Sequence, residues 1–279
     1  MCIAPLNLKD RTVACGQCKA CLRKKAADWS VRIEHEQKSA KSAAFLTLTY
    51  NDENVPWIDS EDSDYPVTTL VKKDLQLFIK RIKAANSYYL EREKIDWPKV
   101  AYFATGEYGG KTRRAHYHMI IFNIHKNIMY NVSKYWNKGF VKVGTVRGSS
   151  IQYVSNYMLF KNIDRLQGQA RPFTLSSNFL GAEYVAENFY YHYNSGDYKL
   201  KKRNKKRNLP RYYSDKLFDE EKKEDVNLKK SEEFNEYQKE MEKEAIEKDP
   251  LDPHGYMIQK RKHKEEILFY RTKRKHRKL

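Results

Sequence analysis

The sequence predicts an α+β fold, a single antiparallel β-sheet flanked by helices. Three observations predict it. Residues 45–50, FLTLTY, alternate along a run of strong strand formers. KVAYFATGEYGG and RAHYHMIIF are two further strand-like runs, joined by the short basic loop GGKTRR, which is the pattern of a hairpin. Helical periodicities lie between these runs without regular βαβ repetition, so the sheet is antiparallel with helices packed on it.

In chain order, residues 1–25 form a Cys-rich, basic entry segment. From Ala26, ADWSVRIEHEQKSA reads as a helix with Trp29, Ile33 and the aliphatic part of Arg32 on one face. The strand AAFLTLTY follows, and Asn51-Asp52 ends it as a turn. Residues 52–66 are acidic, carry Pro56 and Pro66, and read as a loop. In VTTLVKKDLQLFIKRIKAANSYY, Leu70, Leu75, Phe78, Ile79 and Ile82 recur at helical spacing between Lys and Arg, giving an amphipathic helix with a basic outer face. After the two hairpin strands, VSKYWNKGFVKVGTV reads as a short helix and a strand. SSIQYVSNYMLFK reads as a helix capped by Ser149 or Ser150. Beyond Lys199 the chain changes character. KLKKRNKKRNLPRYY reads as a basic loop, residues 219–249 as a charged helix with few apolar anchors, and the stretch ending RTKRKHRKL as another basic helix. The expected division is 1–25, 26–198 and 199–279.

Composition narrows the function. The 279 residues carry a formal net charge of +18. Such a surplus points to a polyanion, because basic side chains displace condensed counterions from phosphates. No apolar run approaches the roughly 20 residues that span a bilayer, so no membrane partner is expected. MCIAPLNLKDRT lacks the apolar segment of a secretory signal, and a cytosolic location is expected. Arg23, Lys24 and Lys25, the loop residues Arg113 and Arg114, and Lys201, Lys202 and Arg203 are candidate phosphate contacts.

Two clusters suggest metals. Cys15, Cys18 and Cys21 form C-x-x-C-x-x-C, and Cys2 adds a fourth thiol. In a reducing compartment four clustered thiolates suit a structural Zn²⁺ better than disulfides. His116 and His118 are two apart on a predicted strand and point to one face. Glu107 on the preceding strand is placed as a third ligand. Two imidazoles and a carboxylate, with positions left for a phosphate oxygen and water, suit Mg²⁺ or Mn²⁺. Tyr153 and Tyr157 lie one helical turn apart, and a phenol is a competent nucleophile toward a metal-activated phosphodiester. Lys161 follows one turn after Tyr157 and marks Tyr157 as the tyrosine expected to cleave first.

These motifs, with CGQCKACLRKKAADWSVRIEHE (15–36), FLTLTYND (45–52), WNKGFVKVGTV (136–146) and LPRYYSDKLF (209–218), resemble the HUH endonucleases of rolling-circle replication. They are most similar to the replication-initiation proteins of microviruses, especially the gokushovirus branch. The resemblance spans most of residues 1–218. It implies a five-stranded sheet, His116 and His118 as metal ligands with Glu107 as the third, and Tyr153 and Tyr157 as nucleophiles that form a 5′-phosphotyrosine link. Relatives place a Lys three residues after a tyrosine; those positions hold Asn156 and Phe160 here, and Lys161 stands one residue further. The implied partners are single-stranded origin DNA and, in the host cell cytoplasm, a host helicase and polymerase. Three alternatives share the motifs: a non-catalytic single-strand-binding protein, a relaxase or transposase of the same chemistry, and a zinc-dependent hydrolase that uses water.

Overall fold

A computed structural model describes residues 2, 6–8, 12–110, 112–157, 165–202 and 205–276. In chain order its elements are β1 (Leu6–Asn7), β2 (Thr12–Val13), α1 (Lys19–Ser39), β3 (Ala43–Tyr50), β4 (Trp57–Ile58), β5 (Val67–Thr68), α2 (Lys72–Arg92), β6 (Ala101–Tyr108) and β7 (Ala115–Phe122). They continue with α3 (Lys126–Tyr130), β8 (Gly139–Gly144), α4 (Gly148–Asn156), β9 (Phe173–Ser176), α5 (Glu183–Ser195), β10 (Lys199–Lys202), β11 (Lys205–Asn208), α6 (Arg211–Leu217), α7 (Glu220–Lys248) and α8 (Pro253–His276). The chain divides into two compact units, one of residues Leu22–Glu183 and one of Met1–Cys21 with Tyr184–Leu279.

The first unit is built on a five-stranded antiparallel sheet ordered β8-β3-β7-β6-β9. Strand alternation gives the sheet two different faces. On one face Leu46, Leu48, Tyr50, Tyr117, Met119 and Ile121 are buried against Leu75, Phe78, Ile79 and Ile82 of α2 and against Ile128 of α3. The α2 residues sit at i, i+3, i+4 and i+7, so one helical stripe is withdrawn from water, worth roughly 1.5–3 kcal/mol for each large side chain. The polar atoms of this face are paired: the Tyr50 hydroxyl donates to Asp74 at 2.9 Å and lies 2.7 Å from the Tyr117 hydroxyl. On the other face Ile33 of α1 and Ile151 and Val154 of α4 cover Phe103, Ile120 and Phe122. The buried Ser30 and Ser155 hydroxyls, 2.6 Å apart, join α1 to α4.

Several boundaries differ from the expectation. Helix α1 starts at Lys19 rather than Ala26, because the intervening Ala, Leu, Lys and Arg are good helix formers. The acidic stretch 52–66 contains β4, which pairs with β5. Ser150 lies in the third helical position of α4, where its hydroxyl accepts from the Arg147 amide at 3.3 Å. The fifth strand, β9, is four residues long and only half-buried, too short and too polar to show a period.

In the second unit the basic stretch after Lys199 is a hairpin rather than a loop: β10 pairs with β11 from Lys199↔Asn208 to Lys202↔Lys205. Buried Leu200 and Leu209 anchor it, two apolar residues that make no periodic signal. The expected charged helices are α7 and α8. No helix among the described residues is long and apolar enough to cross a membrane.

Candidate metal and nucleophile site

The site follows from strand register. Glu107 of β6 is directly opposite His116 of β7, and His118 is opposite both Thr105 of β6 and Thr47 of β3. Opposite residues in an antiparallel sheet share a face, so these groups collect on the face that α1 and α4 cover. The His116 and His118 Nε2 atoms lie 2.8 and 2.6 Å from one oxygen of Glu107, Oε1. The outer nitrogens are held too: His116 Nδ1 is 3.0 Å from the Arg114 carbonyl, and His118 Nδ1 is 3.0 Å from Thr47 Oγ1. His116 Nδ1 donates to a carbonyl, so loss of the Nε2 proton would leave an Nε2 lone pair facing the centre, as a ligating histidine must have.

The donor set fits a divalent cation. Glu107 is 1% exposed, and its second oxygen, Oε2, is buried without a hydrogen-bond partner. A buried carboxylate oxygen left unpaired is costly, and an ion would satisfy it. The ligand atoms of Glu107, His116 and His118 lie within 4.8 Å of one another. Burial disfavours charge on Glu107, but the hydrogen bonds and positive potential of the two imidazoles outweigh it and hold the carboxyl below the usual carboxylate range. Burial likewise pulls the His116 pKa down, and the Glu107 hydrogen bond and charge outweigh it, so the imidazolium is favoured.

Tyr153 completes the cluster. Its hydroxyl donates to Glu107 Oε1 at 2.8 Å and lies 3.2 Å from His118 Nε2. Phe45, stacked on the His118 ring at 5.4 Å and edge-on to Tyr153 at 6.4 Å, packs both rings. Burial, then the charge and hydrogen bond of Glu107, raise the Tyr153 pKa above that of a free phenol. Tyr157 caps α4, with its ring centroid 5.9 Å from that of Tyr153. Thr47 and Phe45 are site residues that sequence reasoning does not assign; their alternation with Leu46 and Leu48 is the available signal.

The other expected residues are placed as follows. Arg114 donates to the Tyr50 carbonyl at 2.8 Å and pairs with Asp52 at 2.8 Å, so its guanidinium braces the hairpin. Arg113 is half-buried in the turn with a left-handed φ of 52°. Arg23 is half-buried on α1, and Lys24 and Lys25 are exposed there. Lys201 and Lys202 belong to β10. Lys161 and Arg203 lie outside the described residues.

In the second unit the four cysteines converge. Cys2 Sγ is 3.4 Å from Cys15 Sγ and 3.8 Å from Cys18 Sγ, and Cys15 Sγ is 4.0 Å from Cys21 Sγ. A tetrahedral ion with Zn–S bonds near 2.3 Å needs sulfurs about 3.8 Å apart, so the group fits zinc. The Cys15 and Cys18 amides donate to Cys2 Sγ and Cys15 Sγ at 3.3 Å each. Hydrogen bonds from the Cys18 and Gln17 backbone lower the Cys15 pKa, whereas burial pushes Cys21 up to about 12.

Residues 43–162 match the ORF2-type family of replication-associated proteins, a span holding Glu107, both histidines and both tyrosines. The Replication-associated protein ORF2 of Spiroplasma virus 4 is 29% identical over 197 residues, covering 63% of this chain and 58% of that protein. The Replication-associated protein VP4 of Bdellovibrio phage phiMH2K is 29% identical over 163 residues, covering 51% of this chain and 46% of that protein. The chain thus spans about half the length of the curated relatives it matches. Among solved structures, the N-terminal nuclease domain of minute virus of mice non-structural protein 1 aligns over 60% of this chain and 83% of that one. At 10% identity and a TM-score of 0.20, that likeness carries no argument.

Proposed function

Because residues 43–162 match the ORF2-type family of replication-associated proteins, we propose that the chain is a divalent-metal-dependent endonuclease and strand transferase of phage rolling-circle DNA replication. One observation carries the reading: two imidazoles and a phenol converge on a single oxygen of a buried carboxylate whose other oxygen has no partner. Glu107, His116 and His118 would hold Mg²⁺ or Mn²⁺, which when bound polarises a phosphate oxygen and stabilises developing charge.

The chain's own residues do the rest. The Tyr153 oxygen attacks phosphorus, forming a P–O bond as the P–O3′ bond breaks. The phenol proton goes to water, and the departing 3′ oxygen takes one from water. The products are a 5′-phosphotyrosine and a free 3′-OH. One phosphoester replaces another, so rejoining by a 3′-OH needs no ATP. Tyr153 is assigned the first cleavage because its hydroxyl touches Glu107 and His118; Tyr157 beside it is the second nucleophile, for strand transfer and circle closure. The substrate is single-stranded origin DNA, and unwinding and synthesis are assigned to a host helicase and polymerase. The cysteine cluster is assigned a structural Zn²⁺ whose binding stabilises the N-terminal segment.

The test is covalent trapping. Labelled single-stranded origin DNA incubated with the protein and Mn²⁺ should yield a denaturation-resistant adduct, absent in chelator, that maps to Tyr153 or Tyr157. Tyr153→Phe with Tyr157→Phe should abolish the adduct and leave DNA binding intact. Cleavage with no adduct would assign water as the nucleophile, and stable binding with no cleavage would leave a single-strand-binding protein.

A further inference from the structure

The sheet face that carries the metal and nucleophile cluster does not end at His116. Reading across the register, Glu107 faces His116, His116 faces Thr49, and Thr49 faces Phe140 on the edge strand β8. These four residues form one row on one face. Phe140 is 67% exposed, a large aromatic ring in water at the end of that row. In the adjacent row Lys142 faces Thr47, which faces His118, and Lys142 is exposed as well. Thr47 and Thr49 between them are only half-buried, whereas Leu46, Leu48 and Tyr50, which point the other way, are buried. Burial therefore falls along this face from the cluster, through the half-buried threonines of β3, to the exposed Phe140 and Lys142 at the sheet edge.

We propose that Phe140 is a base-stacking platform for the single-stranded DNA bound at the Glu107–His116–His118 cluster, with Lys142 beside it on the phosphates. The inference rests on the function proposed above and deepens it. Phe140 sits two strand spacings from His116, roughly 10 Å, or about three stacked nucleotides at roughly 3.4 Å each. A strand whose scissile phosphate lies at the cluster therefore carries a neighbouring base over the ring. Single-strand sites combine a cationic track with aromatic faces, because every base has a π-face whatever its sequence. An exposed Phe on an edge strand otherwise invites pairing with another chain; a stacked base covers it.

The local backbone holds the platform. Gly139 begins β8 with φ of +152°, and a Cβ there would stand 2.2 Å from the Thr49 carbonyl oxygen. Only glycine lets the strand enter this close to β3 and set the register of the next residue, Phe140.

The test uses the full-length protein and a labelled oligo(dT) strand, alongside an abasic strand of the same length. Phe140→Ala should weaken oligo(dT) binding by roughly 5- to 150-fold, the range of one lost stacking contact, and should leave the weaker abasic binding unchanged. Phe140→Tyr should restore oligo(dT) binding. In Phe140→Trp the added indole emission should be quenched by oligo(dT) and not by the abasic strand, a readout that holds even if the alanine variant folds poorly. Equal oligo(dT) affinity in wild type and Phe140→Ala, or unquenched emission in Phe140→Trp, overturns the platform. Covalent trapping separates the two claims. A wild type that forms the tyrosine adduct with binding indifferent to Phe140 defeats only the platform. A wild type with Phe140-dependent binding and no adduct defeats only the nuclease reading.

Discussion

The two candidate metal clusters are built in opposite ways. Glu107, His116 and His118 come from neighbouring strands of one sheet, and register puts them together within a buried face. Cys2, Cys15, Cys18 and Cys21 come from the first 21 residues, are only half-buried, and gather through turns and the start of one helix. A sheet holds its ligands whether or not a metal binds, so an ion bound there would be exchangeable without cost to the fold. Short turns cannot hold four thiolates together alone, so an ion there contributes to folding itself.

The largest contrast should come from removing ligands. His116→Gln with His118→Gln keeps amide donors for the buried Glu107 carboxylate but removes both imidazoles. Metal-dependent adduct formation should be abolished while the melting temperature shifts little; retained adduct formation in metal-controlled buffer would reject the ligand set.

Cys18→Ser with Cys21→Ser should do the reverse. Zinc measured by elemental analysis should fall from one equivalent to none, and amide exchange in the N-terminal segment should rise. Adduct formation on an already single-stranded substrate should persist. A chelator strong enough to strip zinc should likewise lower stability more than loss of Mg²⁺. Wild-type protein purified under reducing conditions without zinc would erase the contrast.

Thr47→Val tests how far the sheet orients its ligands. It removes the oxygen 3.0 Å from His118 Nδ1 and nearly preserves shape. Loss of such a supporting contact typically weakens metal binding roughly 10- to 100-fold, which Mn²⁺ titration would read. An unchanged affinity would mean that packing against Phe45 alone orients the ring.

The mildest effect concerns pH. The His116 pKa is raised in the folded protein, so below that raised value the metal must displace a proton. Mn²⁺ affinity should rise with pH through that raised pKa, by about tenfold per unit per proton displaced. Without metal the sign of stability reverses. The raised His116 contributes stability that is fully present below its unfolded pKa of about 6.5 and is lost as pH rises through the folded value. The lowered Glu107 contributes stability present above its unfolded pKa and lost as pH falls through the folded value. Metal-free protein should therefore be most stable between the two, a profile that thermal melts across pH would show or refute.

Legibility in the sequence follows locality. FLTLTY, His-Tyr-His and the α2 stripe repeat with the period of their own element, so strand, same-face histidines and amphipathic helix can all be read directly. Glu107 is within reach because one short hairpin separates it from His116. Strand β9 and the β10–β11 hairpin escape a sequence reading because pairing with a partner defines them, and their own residues carry no period.

By itself the sequence determined that residues at period two share a face, that four cysteines crowd the N-terminus, and that two tyrosines lie one helical turn apart. These are properties of short stretches of backbone. Which tyrosine meets the ligands is not such a property. Tyr157 has Lys161 one turn away in sequence, yet the Tyr153 hydroxyl lies on Glu107. That choice depends on how α4 is rotated on the sheet, which the burial of Ile151 and Val154 and the Ser30–Ser155 contact with α1 decide. The row from Glu107 to Phe140 likewise exists only after β8 has paired with β3. Helical and strand periods are set by covalent geometry, whereas rotation and register are set by contacts between segments distant in the chain, and those form only when the core closes.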